Sequence, residues 1–410
     1  MAFQLEKHIL NNGMIVLGEP MSGIESAAFN IMLPAGAALM PEGVCGVGNV
    51  ITDWIFRGAG DKDSRQLIDA LDGLGLHRSS SVTSGNIYLG SALEASNLAE
   101  AINLYADIIL RPKLEPEQFE LSRQLAISDV VGLDDEPRQK VMSVLSEKFY
   151  PAPLGRSTIG KLDDLENLTA DAAENIIREY FNTGCAIFSV AGKYDFDAVC
   201  CQLETLFTNS SKTEQPEIKL ASRGEKYTHI QHEGAQVHIG LMTETIQPGH
   251  PDYYNANVAV SILSGGMSSR LFTEVREKRG LCYAVGAKYS TTKYMAGINC
   301  YAGTTPDKAQ ETYDVIIEQF NNLGENITES ELDIAKVGLK STLIMQSESS
   351  SSRSSGIAGD QYLLGRVRPI EEIKDNLEKV NIDSVTNFLK QNPFKDYTVV
   401  TIGAADIKAG

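Results

Sequence analysis

The chain has 410 residues, 54 acidic against 36 basic side chains, a formal net charge of −18 and 42% hydrophobic residues. That length exceeds one ordinary core and predicts two domains or more, and the composition is that of a soluble globular protein. So acidic a balance argues against nucleic acid or an anionic membrane as partner, and suits a basic peptide or simply a well-solvated surface.

No apolar run reaches the roughly 20 residues of a membrane span, and the opening MAFQLEKHILNNGMIVLGEPM has none of signal-peptide length. A cytoplasmic location is therefore expected. Cys45, Cys185, Cys200, Cys201, Cys282 and Cys300 form no C-x-x-C pair. Reduced, mostly buried thiols are expected rather than a disulfide framework or a zinc knuckle.

In chain order, the alternating segments EKHILNNGMIVLGEP and SAAFNIMLPAGAALMP predict a strand pair. A glycine-led helix follows in GVGNVITDWIFRG, then a helix in SRQLIDALDGLGL, a second strand pair in HRSSSVTSGNIYLGSAL and a long helix in SNLAEAINLYADIILRP. The polar, Pro-containing stretch SSKTEQPEIKLASRGEK, residues 210–226, reads as a boundary. Beyond it the order repeats: strands in YTHIQHEGAQVHIGLMTETI, a helix in DYYNANVAVSILSGG, strands up to INCYAGT and a helix in PDKAQETYDVIIEQFNNLG. This predicts an α+β protein of two similar halves, each a mostly antiparallel sheet with helices packed on one face. The expected division is 1–212, a linker at 213–226, and 227–410. MQSESSSSRSSGIAGDQYLLGR, residues 345–366, has a linker's composition, but the periodic helices on both sides predict an irregular helix or ordered turn.

Within the glycine-led helix, Asn49, Thr52 and Asp53 fall at i, i+3 and i+4, a spacing that groups them on one face. Metallopeptidases place two histidines and a glutamate at such a spacing. Further along, REKRGLCY sets Arg276 and Tyr283 seven residues apart, and SGGMSS, with Gly265 and Gly266, reads as a turn before a helix. That turn lacks the Lys and spacing of a phosphate cradle. His229, His232 and His238 cluster in sequence, but strand alternation sends the first two to opposite faces, so they do not converge on a metal.

The frame of the glycine-led helix and the stretch SGGMSSRLFTEVREKRGLCYAV together resemble the pitrilysin and insulysin superfamily of zinc peptidases. The short-chain branch, with mitochondrial processing peptidase and cytochrome bc1 core proteins, is the most similar. The resemblance spans essentially the whole chain and implies two sandwich halves forming half of a clam-shell chamber. In that family an H-x-x-E-H helix supplies two zinc-binding imidazoles and a glutamate base, and a later helix a third, glutamate ligand. Carried over, the ligand positions fall on Asn49, Asp53 and Asp129, and the base on Thr52, so none of the four residue types is kept. A carboxamide and two short carboxylates make a poor zinc site, and threonine cannot take a proton from water near neutral pH. A hydrogen-bonded polar remnant is expected there, with a hard cation held through oxygen as the alternative.

The second motif is intact. The resemblance implies that Arg276 and Tyr283 reach the substrate carbonyl and its oxyanion in trans, and that Gly265 and Gly266 border the substrate chamber. It further implies a zinc-less subunit of a heterodimeric zinc metallopeptidase. No activity is expected alone, no cofactor in this chain, zinc in the partner, and self-pairing where the partner is absent. A non-catalytic core-type subunit and a peptide-binding clamp are the rival expectations.

Overall fold

The computed structural model describes residues 4–409. Strands in the first half are β1 (Glu6–Ile9), β2 (Ile15–Pro20), β3 (Ser26–Leu33), the short ladder β4 (Gly58–Ala59) and β5 (Lys62–Asp63), β6 (His77–Val82), β7 (Ile87–Glu94) and β8 (Ile187–Gly192). They are followed by β9 (Tyr227–Gln231), β10 (Val237–Thr245), β11 (Cys282–Thr291), β12 (Ala296–Thr304) and β13 (Thr398–Gly403). Helices α1 (Val47–Trp54), α2 (Ser64–Gly73), α3 (Leu98–Leu110), α4 (Pro116–Gly132), α5 (Pro137–Phe149), α6 (Leu162–Glu166), α7 (Ala170–Tyr180) and α8 (Phe196–Leu206) lie in the first half. Helices α9 (Tyr253–Ser264), α10 (Ala309–Asn321), α11 (Glu329–Ser347), α12 (Ser350–Leu364), α13 (Ile370–Lys379) and α14 (Ile382–Gln391) complete the chain.

Two compact units result, and neither is contiguous. Unit 1 takes residues 1–132, 156–220 and 346–368, and unit 2 takes 133–155, 221–345 and 369–410. A single cut at 213–226 therefore misses two short crossings of the chain, one carrying α5 into unit 2 and the other carrying α12 into unit 1.

Unit 1 is built on the sheet order β1-β2-β8-β3-β7-β6, with β2 and β8 parallel and the other pairs antiparallel. Phe29 and Ile31 of β3 face the helical layer, where Phe29 stacks on Phe188 and meets the Tyr105 ring edge-on at 4.8 Å. The opposite face is also covered. There Leu17, Met32 and Ile187 pack against Ile357 and Ala358 of α12. Burial on both faces explains why β3 and β8 read as near-continuous apolar runs rather than clean alternation.

The serine-rich segment is thus a regular helix. Ser349 caps its N-terminus by accepting from the Ser352 N–H, and Gly365 closes it in the left-handed conformation. Small residues bring α12 close to the sheet, and Arg353 reaches Glu19 of β2. Its Nε donates to Oε1 at 2.9 Å and Nη2 to Oε2 at 2.5 Å, with both side chains buried.

Unit 2 repeats the plan. Its order β9-β13-β10-β12-β11 has one parallel pair, β9–β13, in the place that β2–β8 takes in unit 1. Ile298, Cys300 and Ala302 of β12 enter the core beneath α9, α10 and α14. The other face carries α5. A Cβ on Gly240 would lie 3.2 Å from Leu145, and one on Gly297 2.9 Å from Phe149. These two glycines are what allow the helix to approach.

None of the six cysteines is in a disulfide, and every one but Cys201 is buried. Burial pushes the Cys200 and Cys282 thiols up to about 11, the opposite of what a thiolate nucleophile requires. Among the described residues no helix is long and apolar enough to cross a membrane.

Candidate functional site

In α1, Val47, Val50, Ile51 and Trp54 are buried in the unit 1 core, and Trp54 donates from its ring nitrogen to the Glu115 carbonyl at the start of α4. Gly46 precedes the helix at φ +99, and a Cβ there would lie 2.7 Å from the Gly160 Cα. This glycine lets the 157–160 loop lie directly on the helix N-terminus.

That loop consumes the first carried-over ligand position. Asn49 Nδ2 donates to the Thr158 carbonyl at 3.0 Å and the Ile159 carbonyl at 3.2 Å. Thr52 turns its hydroxyl back onto the Asn49 carbonyl at 3.1 Å. Asp53 Oδ2 accepts from Arg57 Nε and from the Ser122 hydroxyl, both at 2.5 Å. Asp129, two turns further along α4 than Ser122, is exposed and has no hydrogen-bonding partner among the described residues.

These residues do not fit a zinc ion. The donor set lacks imidazole and thiolate, and a guanidinium stands against the one carboxylate on α1. The same guanidinium argues against a hard cation, whose charge it already supplies. Among the described residues no three His, Cys, Asp or Glu side chains come together as a group that could hold a metal. His229 Nδ1 instead pairs with the Thr401 hydroxyl at 2.8 Å, and His238 Nδ1 with the Tyr301 hydroxyl at 2.9 Å.

The second motif is brought together in unit 2. Leu271 and Val275 anchor its first part in the core, and Arg270 clamps it by donating to Glu331 at 2.7 Å and to the carbonyls of Asn322, Leu323 and Glu325. Residues Phe272–Glu277 form a π-helix, a wide turn that re-aims the residues it carries. Lys278 and Arg279 both donate to Glu274 at 2.6 Å, and these bonds hold its carboxyl below the usual carboxylate range. Glu274 is thus taken by its neighbours.

Arg276 lies instead over two rings, 4.8 Å from the Phe272 centroid and 5.3 Å from that of Tyr283. Tyr283 occupies a β-bulge: β11 pairs Cys282 with Thr304 and Ala284 with Gly303, leaving Tyr283 as the extra residue. It is 80% exposed. Neither its hydroxyl nor the Arg276 guanidinium has a hydrogen-bonding partner among the described residues, so a cation and a phenol stand together with free N–H and O–H groups.

Beside this pair opens a cavity of about 780 Å³. Gly265, Gly266 and Met267 form one wall, Phe272 continues it, and β11 and β12 give the floor. Arg138 and Met142 of α5 close the other side. Gly265 is fixed, since a Cβ there would lie 2.4 Å from the Ser261 hydroxyl, whereas Gly266 faces open space.

Two family profiles match the chain in order. Insulinase (Peptidase family M16) covers residues 17–161, and Peptidase M16 inactive domain covers 167–339. The chain belongs to the M16 peptidase family. "Inactive" there describes a domain matched at 167–339, which includes neither residues 49–53 nor 129.

An uncharacterised zinc protease of Rickettsia felis is 26% identical over 97% of both chains. The uncharacterised zinc protease YmxG of Bacillus subtilis is 24% identical over 97% of this chain and 98% of its own. Among solved structures, a peptidase M16 inactive domain from Pseudomonas fluorescens superposes with a TM-score of 0.86 at 17% identity, covering 98% of each chain. A chain of complex III2 from Candida albicans gives 0.86 at 18% identity, over 98% of this chain and 96% of that one. The structural likenesses establish the M16 fold, with its two α+β halves.

Sequence reasoning missed Arg138 and Tyr301, and weighed His238 only as a metal ligand. The residues of this cluster lie up to 163 positions apart, and only packing α5 on the β10–β12 face joins them. Arg138 stacks at 4.8 Å over the Tyr301 ring, whose hydroxyl meets His238. Burial depresses the His238 pKa, assisted by the charge of His232. A histidine held neutral by the fold leaves stability undiminished above its unfolded pKa, and stability is lost as pH falls from that value through the lower folded one. Chemical denaturation of this M16 chain should therefore show unit 2 weakening below about pH 6.5, with His238→Gln flattening that dependence.

Proposed function

We propose that this M16 chain is the zinc-less subunit of a heterodimeric zinc metallopeptidase acting on peptides. A homologous partner supplies H-x-x-E-H and the metal, which activates water for attack on the peptide carbonyl. This chain supplies Arg276 and Tyr283. A guanidinium and a phenol donating to the scissile carbonyl stabilise the oxyanion as charge develops on it. Bound peptide adds as a strand to the edge of the partner's sheet.

The observation that carries this reading is the contrast between the two motifs. Asn49, Thr52 and Asp53 spend their polar groups inside the protein, while Arg276 and Tyr283 stand paired and exposed with theirs unspent. A bare pair of oxyanion donors is useful where another subunit brings the metal. Purified chain alone should leave an unfolded peptide uncut, and the same peptide should be hydrolysed once the zinc-bearing homologue from its own cell is added. No gain of hydrolysis over the homologue alone would overturn the reading.

The likeness to a chain of complex III2 favours one rival, a structural subunit without catalysis. That rival requires hydrolysis, if any, to be indifferent to Arg276 and Tyr283.

A further inference from the structure

The cavity beside the Arg276–Tyr283 pair has a chemistry of its own. In a chain of net charge −18, the charged residues lining it are Arg138, Lys288 and Glu136. Most arginines of this protein lie against carboxylates, as Arg57, Arg270 and Arg353 do. Arg138 and Lys288 have none among the described residues.

Arg138 is also positioned. Its guanidinium carbon lies over the Tyr301 ring, 4.8 Å from the centroid, and Tyr301 is in turn fixed through its hydroxyl by His238 of the adjacent strand, 2.9 Å away. A ring against the guanidinium consumes none of its N–H groups, and none of these has a hydrogen-bonding partner among the described residues, so the fork is left for an acceptor such as a carboxylate. On the floor, strand register sets Lys288 directly across from Asn299 and Gly286 across from Tyr301. The first pair adds an ammonium and an amide. The second keeps the floor open, because glycine has no side chain to fill it. A volume of about 780 Å³ accommodates the end or a side chain of a peptide together with its neighbours.

We propose that this cavity is a carboxylate-binding subsite for peptide substrates, in which Arg138 holds the carboxylate and Lys288 and Asn299 complete its surroundings. The inference deepens the peptidase reading and rests on it in one respect, that peptide reaches unit 2. The carboxylate has two possible sources, a peptide C-terminus or an acidic side chain.

The test is fluorescence anisotropy of the full chain, without partner, against four labelled peptides of one parent sequence. One has a free C-terminus, one a C-terminal amide, one an internal Glu with the amide, and one an internal Gln with the amide. At least one carboxylate peptide should bind about tenfold more tightly than its neutral counterpart, and the arm that does so names the source. Arg138→Gln should abolish the difference, whereas Arg65→Gln, at an exposed position of unit 1, should preserve it. Equal binding of charged and neutral peptides, no binding of any, or discrimination that survives Arg138→Gln would each overturn the proposal. Hydrolysis in the two-subunit assay depends on Arg276 and Tyr283 in any of these cases, so the two readings fail separately.

Discussion

Arg276→Ala in the reconstituted two-subunit peptidase should lower kcat/KM by about 10²–10³-fold, the scale of one oxyanion donor, and Tyr283→Phe should cost a similar factor. The loss should fall on kcat with KM little changed, because a bond to the oxyanion exists only once the carbonyl has been attacked. Both residues are exposed and neither is part of the core, so the variants should fold as the parent does. Their side chains lie against each other, and the double variant should therefore lose less than the product of the single losses. Full activity of the pair carrying both substitutions would remove these residues from the reaction.

The largest effect on stability is expected at Arg353. Replacing it with Ala leaves Glu19 buried without its counter-charge, a change that costs about 3–5 kcal/mol. In urea the unfolding midpoint of unit 1 should fall accordingly, with that of unit 2 little affected. Changing both partners to methionine should recover much of the loss, since the penalty comes from stranding one charge rather than from lacking the pair. If Arg353→Ala unfolds at the parent midpoint, α12 is not pinned to β2 by this contact.

How far the sequence discloses this protein depends on the range of the interaction concerned. The α1 helix is legible because Val50, Ile51 and Trp54 repeat at helical spacing, and the grouping of Asn49, Thr52 and Asp53 can be read off that spacing. Strand pairs and the two-fold repeat follow from alternation and element order, and the sheets repeat each other down to the place of the single parallel pair. Local composition misleads where tertiary packing decides. The run SSSSRSSG has the makeup of a linker, yet a cap at Ser349 and the burial of Ile357 and Ala358 make it a helix. Contiguous division fails for the same reason, because α5 and α12 each complete a unit to which the sequence around them does not belong. At the sites, the spacing of Arg276 and Tyr283 is visible in one dimension, but the bulge that turns Tyr283 outward is a matter of register. Nor could a single sequence show that Ser122 and Arg57 would claim Asp53, or that Arg138 would come to rest on Tyr301.

Whether this chain itself holds zinc is decided by metal analysis. Zinc per chain should be measured by mass spectrometry on the protein purified alone and again on its complex with the zinc-bearing homologue. A negligible amount is expected for the isolated chain and one zinc per heterodimer, carried by the partner. One equivalent of zinc on the isolated chain, lost on substituting Asp53 or Asp129, would contradict the zinc-less reading.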